Sequence, residues 1–120
     1  MKVEARSGRI RTTDGTLVCE RCEVPRGTFA RMRGLLGRNG LEPGRGMLID
    51  SAPTVHTFFM RFAIDVVFLD RDWKVVGIRH ALRPWRVAGA RRAVAALELP
   101  AGTARSVGVA EGDVCALEDL

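Results

Sequence analysis

The stretch HTFFMRFAID places a histidine, an arginine and an aspartate close together, at His56, Arg61 and Asp65. Imidazole is the side-chain group that exchanges a proton near neutral pH. Guanidinium offers a rigid, bidentate fork to a carboxylate or phosphate. Read as a strand, the stretch alternates faces, so His56, Phe58 and Met60 share one side and Thr57, Phe59 and Arg61 the other. Arg61 then approaches the rim of the core and takes Asp65, past a bend at Phe62-Ala63, as its partner. Arg33 and Arg38, in RGLLGR, flank the last turn of an expected helix. Together with His56 and Arg61 they compose a candidate site for an anionic ligand. The plainer alternatives are a structural Arg61–Asp65 ion pair and two arginines that complement a helix dipole.

Other reactive side chains are more isolated. Cys19 and Cys22 form a C-x-x-C, a spacing used for zinc and for redox chemistry. The pair lies in an expected strand, however, where residues three apart face opposite ways, and no second C-x-x-C follows. No metal and no cofactor is therefore expected, and buried or half-buried free thiols are. An odd cysteine count (Cys19, Cys22, Cys115) also argues against a disulfide framework and for a reducing compartment. Trp85 lies between Arg83 and Arg86, where a ring flanked by guanidinium groups could stack a base or a sugar; the structural alternative is a plug at the end of the fold.

These groups are carried by 120 residues, a common size for one domain, with no composition shift to divide them. Residues 1–120 are read as a single domain. A hydrophobic fraction of 47% and a charged fraction of 28% suit an ordinary folded interior. No apolar run reaches the roughly 18 residues of a membrane span. Met1 to Ile10 contains no hydrophobic signal region, so a cytoplasmic location is expected. The net charge is +5. Between Trp73 and Leu97 six basic residues and His80 occur without an acid, while five acids stand against Arg105 from Glu98 onward.

The elements are legible from turns and periodicity. Asp14-Gly15 turns a first hairpin, with Leu17 to Val24 as the returning strand. Phe29, Met32, Leu35 and Leu36 recur at helical spacing, which predicts a short helix over Thr28 to Gly37. Met47 to Ile49, Val55 to Met60 and Ile64 to Leu69 read as strands, and Asp70 to Asp72 turns the chain into another at Trp73 to Ile78. Pro84 to Gly89 reads as a loop, Ala93 to Leu99 as a strand, Ala101 to Val107 as a helical turn or two and Asp113 to Leu117 as a closing strand. The fold class is mostly β, a small α+β chain with about seven short strands and one main helix in a compact barrel or sandwich.

Three pieces in this order, RGLLGR at Arg33 to Arg38, GMLI at Gly46 to Ile49 and HTFFMRFAIDVVFLD at His56 to Asp70, together with the closing stretch Ala93 to Ala116, resemble the domain of unknown function 192 family. The resemblance covers about residues 18–120. It implies a largely β fold and, since the family is uncharacterised, little chemistry.

Three functions compete at this level. The leading one is a non-enzymatic binding module for an anionic small molecule or an acidic partner segment, using His56, Arg61, Arg33, Arg38 and their neighbours. The second is a small hydrolase or transferase using His56 with Asp65. The third, ranked last, is nucleic-acid binding through the basic 73–97 stretch. The sequence leaves the oligomeric state open.

Overall fold

The structure, a computed structural model, describes residues 5–27 and 34–119. Among them are nine strands and one short helix: β1 (Ala5–Thr12), β2 (Leu17–Pro25), β3 (Arg45–Asp50), β4 (Thr54–His56), β5 (Ile64–Leu69), β6 (Val75–Leu82), β7 (Val87–Gly89), β8 (Ala95–Pro100), α1 (Thr103–Val107) and β9 (Cys115–Asp119). The chain is mostly β with a short helix, as its pattern predicts. Seven strands form one sheet in the order β6-β5-β8-β3-β2-β1-β9, and β4 and β7 form a separate ribbon. All neighbours are antiparallel except β2 and β3. The two edges of the large sheet meet at a single bridge, Lys74 to Val114. The sheet therefore curls without closing, so the expected barrel is only approached. The expected helix over Thr28 to Gly37 falls largely on residues outside the described ones; residues 34–37 form a turn.

Both expected hairpins form for the reasons their turns suggest. The Asp14 carboxylate collects the main-chain N–H of Thr16 at 3.3 Å, and Gly15 takes a left-handed φ of 97°. At the second turn Asp70 accepts the N–H groups of Asp72 (2.8 Å) and Lys74 (3.0 Å). Apart from Asp65 and Glu98, the central strands β5 and β8 are apolar on both faces, and every residue of β5 is buried. Two cores follow. Leu48, Val67, Leu69, Leu97 and Leu99 pack on one face with Ala104 of α1. Met47, Ile49, Val66, Phe68 and Ala96 pack on the other, beneath Leu35 and the ribbon residues Val55 and Ala88.

Two local departures matter for function. The register of β1 on β2 runs from Gly8↔Cys22 to Ile10↔Cys19, two residues against three. This bulge re-aims the chain. Cys19 and Cys22 thereby share the inner core, 1% and 0% exposed, instead of facing opposite ways. The expected strand Val55 to Met60 also ends early. β4 stops at His56 and a turn follows, with Phe59 at φ 65°, so strand alternation does not order the side chains beyond His56.

Candidate functional site

A cleft of about 330 Å³ opens on the second face of the sheet, between the turn at 34–36, the segment from Ile49 to His56, Met60 and Glu98. Glu98 forms part of its floor. It lies on β8, opposite Met47 of β3 and Val66 of β5. Paired residues in a sheet project to the same side, so its side chain rises from the centre of the sheet among apolar neighbours. The residue is 7% exposed, and burial pushes its carboxyl up to about 7. Among the described residues no hydrogen bond or ion pair engages that carboxyl. Every fully enclosed side-chain oxygen or nitrogen described has a partner, so the Glu98 carboxyl is in touch with the cleft. Asp50, at the exposed end of β3, and His56, at the exposed end of β4, line the same cleft. Its apolar wall includes Leu35, Ile49, Val55 and Met60.

The residues singled out from sequence are placed differently from one another. His56 stands at the cleft with its ring 5.0 Å from that of Phe58. Arg61 is exposed and donates to Asn39 Oδ1 at 2.7 Å. Asp65 is fully buried on the opposite side of β5, where its carboxylate accepts the N–H groups of Ala81 (2.8 Å), Gly102 (3.1 Å) and Ala104 (2.9 Å). The expected Arg61–Asp65 pair is therefore not formed, and Asp65, turned toward α1, is not brought to His56. The geometry thus removes the His56–Asp65 pair on which the hydrolase or transferase alternative rested. Arg38 grips Glu23 through both terminal nitrogens, at 2.8 and 3.1 Å, and this bond raises its pKa above the ordinary value. Arg33 lies outside the described residues. Trp85 is 56% exposed and packs against Phe58 and Phe59 at centroid distances of 5.9 and 4.6 Å.

Sequence reasoning passed over Glu98. Its signal was present: a lone acid inside the apolar strand AALELP, where a carboxyl is costly unless something uses it. The thiols do not belong to the cleft. Cys19, Cys22 and Cys115 are free and buried; burial pushes Cys115 up to about 11, and the neighbouring Cys19 together with burial pushes Cys22 up. Among the described residues no three His, Cys, Asp or Glu side chains gather as a metal site. No helix among them is long and apolar enough to cross a membrane.

A curled β-sheet with an unpartnered carboxyl at the floor of an apolar-walled cleft defines a small β fold with a recess on its ribbon side. The chain belongs to the DUF192 family, described as "Uncharacterized ACR, COG1430", which it matches over residues 9–117. It is 41% identical over 61 residues to a UPF0127 protein of Pyrococcus abyssi, covering 50% of this chain and 51% of that protein. It is 33% identical over 81 residues to a UPF0127 protein of Thermococcus sibiricus, covering 64% and 52%. The chain thus spans about half the length of these curated relatives. The crystal structure of a putative transcription regulator from Sinorhizobium meliloti superposes with a TM-score of 0.84 at 25% identity, covering 98% of each chain. A protein of unknown function from Novosphingobium aromaticivorans has the same fold, with a TM-score of 0.78 at 23% identity over 93% of this chain and 84% of that one.

Proposed function

We propose that this domain is a binding module whose cleft takes a small molecule carrying an apolar body and a hydrogen-bond donor, a hydroxyl or an amine. The observation that carries this reading is Glu98: a buried carboxyl with no described protein partner, held where a ligand can reach it. Buried polar groups are ordinarily satisfied, and a ligand's donor would satisfy this one. The apolar wall would take the rest of the molecule, as in most small-molecule sites.

The sign of the expected ligand charge changes on this reading. Arg38 is engaged by Glu23 and Arg61 by Asn39, whereas the Glu98 carboxyl at the floor of the cleft has no described partner. A donor or cation suits that carboxyl better than the anion first expected. The three free thiols fit a reducing compartment, and the domain is proposed to work in the cytoplasm.

Chemical-shift mapping of the labelled chain with n-butylamine, with a polyol, with acetate and with inorganic phosphate tests the proposal. Amine or polyol shifts should concentrate at Ile49, Val55 and Glu98 and disappear in Glu98→Gln. Perturbation of those residues by phosphate or acetate alone would overturn the reading.

A further inference from the structure

Three rings stand exposed beside the ribbon: Phe58 is 37% exposed, Trp85 56% and Phe59 70%. Side chains of this kind dominate cores and interfaces because burying them is favourable. Here they are held in the open by an uncommon backbone. Phe59 and Trp85 take left-handed φ values of 65° and 66°, a region that bulky residues rarely adopt.

Thr57 holds that geometry. It is 0% exposed; its hydroxyl donates to the Arg83 carbonyl at 2.6 Å and accepts the Arg86 N–H at 2.9 Å. Its own N–H donates to the Arg86 carbonyl at 2.8 Å, and its carbonyl accepts the Trp85 N–H at 2.9 Å. One buried residue thereby locks the turn after β4 onto the turn before β7. The rings run on from His56: His56 to Phe58 5.0 Å, Phe58 to Trp85 5.9 Å and Trp85 to Phe59 4.6 Å between centroids.

Cations accompany the rings. Arg83 and Arg86 bracket Trp85 and are both exposed. Among the described residues neither forms an ion pair, and the Arg86 guanidinium bonds only main-chain carbonyls, those of Pro84 and Trp85 at 3.5 and 3.3 Å. The surrounding stretch from Trp73 to Leu97 contains no acid to neutralise them.

We infer that this rigid platform binds single-stranded nucleic acid, with Trp85, Phe59 and Phe58 stacking bases and Arg83 and Arg86 contacting phosphates. Stacking needs only the π-face that every base has, and a guanidinium fork matches a phosphate. An anionic membrane also attracts rings and cations together. A surface built for a membrane interface, however, sets its rings on one face and its cations on another. Along a nucleic-acid strand a phosphate follows every base, so ring and cation are required side by side. The rings lie outside the cleft, which His56 and Met60 border from the same turn.

Fluorescence anisotropy with the full chain and labelled oligothymidylate and oligouridylate strands of about 12 nucleotides, long enough for one small domain, is the test. Binding is expected at low salt, weakening as salt rises. Replacing both Arg83 and Arg86 by alanine should weaken it and flatten the log–log salt slope by about 1.4, two phosphates at about 0.7 each. Trp85→Ala should weaken binding about tenfold. All three side chains are exposed, so the far-ultraviolet circular dichroism of the variants should match the parent's, and the arginine pair decides the matter should the tryptophan variant misfold. No binding by the parent at low salt, or undiminished binding by both variants, overturns the inference. Sedimentation of the parent with phosphatidylserine vesicles, without oligonucleotide binding, would reassign the platform to a membrane and overturn it equally.

Discussion

Replacing Asp65 by asparagine changes one oxygen to an amide nitrogen at a site closed to solvent. The native carboxylate ties three places together: Oδ1 accepts Ala81 at the end of β6, and Oδ2 accepts Gly102 and Ala104 at the start of α1. Ala81, within β6 where its register on β5 shifts, and Gly102 both sit at positive φ, 49° and 92°, so the carboxylate holds two uncommon backbone conformations. An asparagine keeps one acceptor oxygen. It can serve Ala81 or the Gly102–Ala104 pair, and its NH2 group must then face an N–H donor. Hydrogen bonds to a charged acceptor are worth about 1.5–3 kcal/mol, and each orphaned buried N–H costs about 1–3 kcal/mol. The lower cost of burying a neutral amide offsets part of this loss. The expected destabilisation is about 3–5 kcal/mol, a large share of the roughly 5–15 kcal/mol that holds a domain folded. Urea unfolding followed by circular dichroism measures it, with an unchanged m-value confirming that the native state is the same. Arg38→Ala is the companion: its bidentate bond to Glu23 is partly exposed, with side chains 37% and 26% accessible, and such a pair is worth about 1 kcal/mol or less. A loss below about 1 kcal/mol in Asp65→Asn, or equal losses in the two variants, would refute the role assigned to Asp65.

Glu98 gives stability a pH dependence: above its ordinary 4.5 the unfolded chain releases the proton that the folded chain keeps until about 7. The protein should therefore lose about 3 kcal/mol between those values, at about 1.4 kcal/mol per pH unit. Glu98→Gln should abolish that loss and be the more stable protein at pH 8, as read from urea midpoints at pH 5 and 8. The three buried thiols should resist a disulfide reagent such as dithionitrobenzoate in the native state and all react in denaturant; prompt reaction of any of them would contradict the core described above. Thr57→Val should cost about 1–3 kcal/mol by orphaning the Arg83 carbonyl and the Arg86 N–H, and should shift the emission of Trp85 in a Trp73→Phe background.

What was legible in the sequence was local. Asp14-Gly15 and Asp70 to Asp72 announced their hairpins because the turn chemistry lies in the turn itself, and the β-branched and aromatic run of β5 announced a strand. HTFFMRF misled because aromatic residues favour strands by packing on a half-buried surface, not through their backbone. Whether a turn interrupts them depends on Thr57 meeting Arg83 and Arg86, 26 and 29 residues away. The C-x-x-C misled for a similar reason: strand periodicity sends residues three apart to opposite faces, and a single inserted residue on β2 reverses that. Asp65 could be recognised as a residue in need of a partner, but its partners are main-chain N–H groups, which leave no mark in a side-chain pattern. Glu98 was readable and was counted with the acidic tail instead of with the apolar strand that buries it.

The ribbon explains why the two proposed surfaces lie side by side yet call for different chemistry. Val55 and His56 of β4 line the cleft, and the turn immediately after them carries Phe58 and Phe59. Val87 of β7 pairs with His56, and the turn immediately before it carries Trp85 between its arginines. One two-stranded element thus borders the cleft that holds a carboxyl and carries exposed arginines on the turn before its second strand. Glu98 calls for a donor, whereas Arg83 and Arg86 call for an acceptor. An ammonium group meets only the first demand and the phosphodiester of a nucleic-acid backbone only the second. Two binding events on one rigid element therefore fit the charge arrangement better than a single small anion spanning it, and either can be lost by mutation while the other survives.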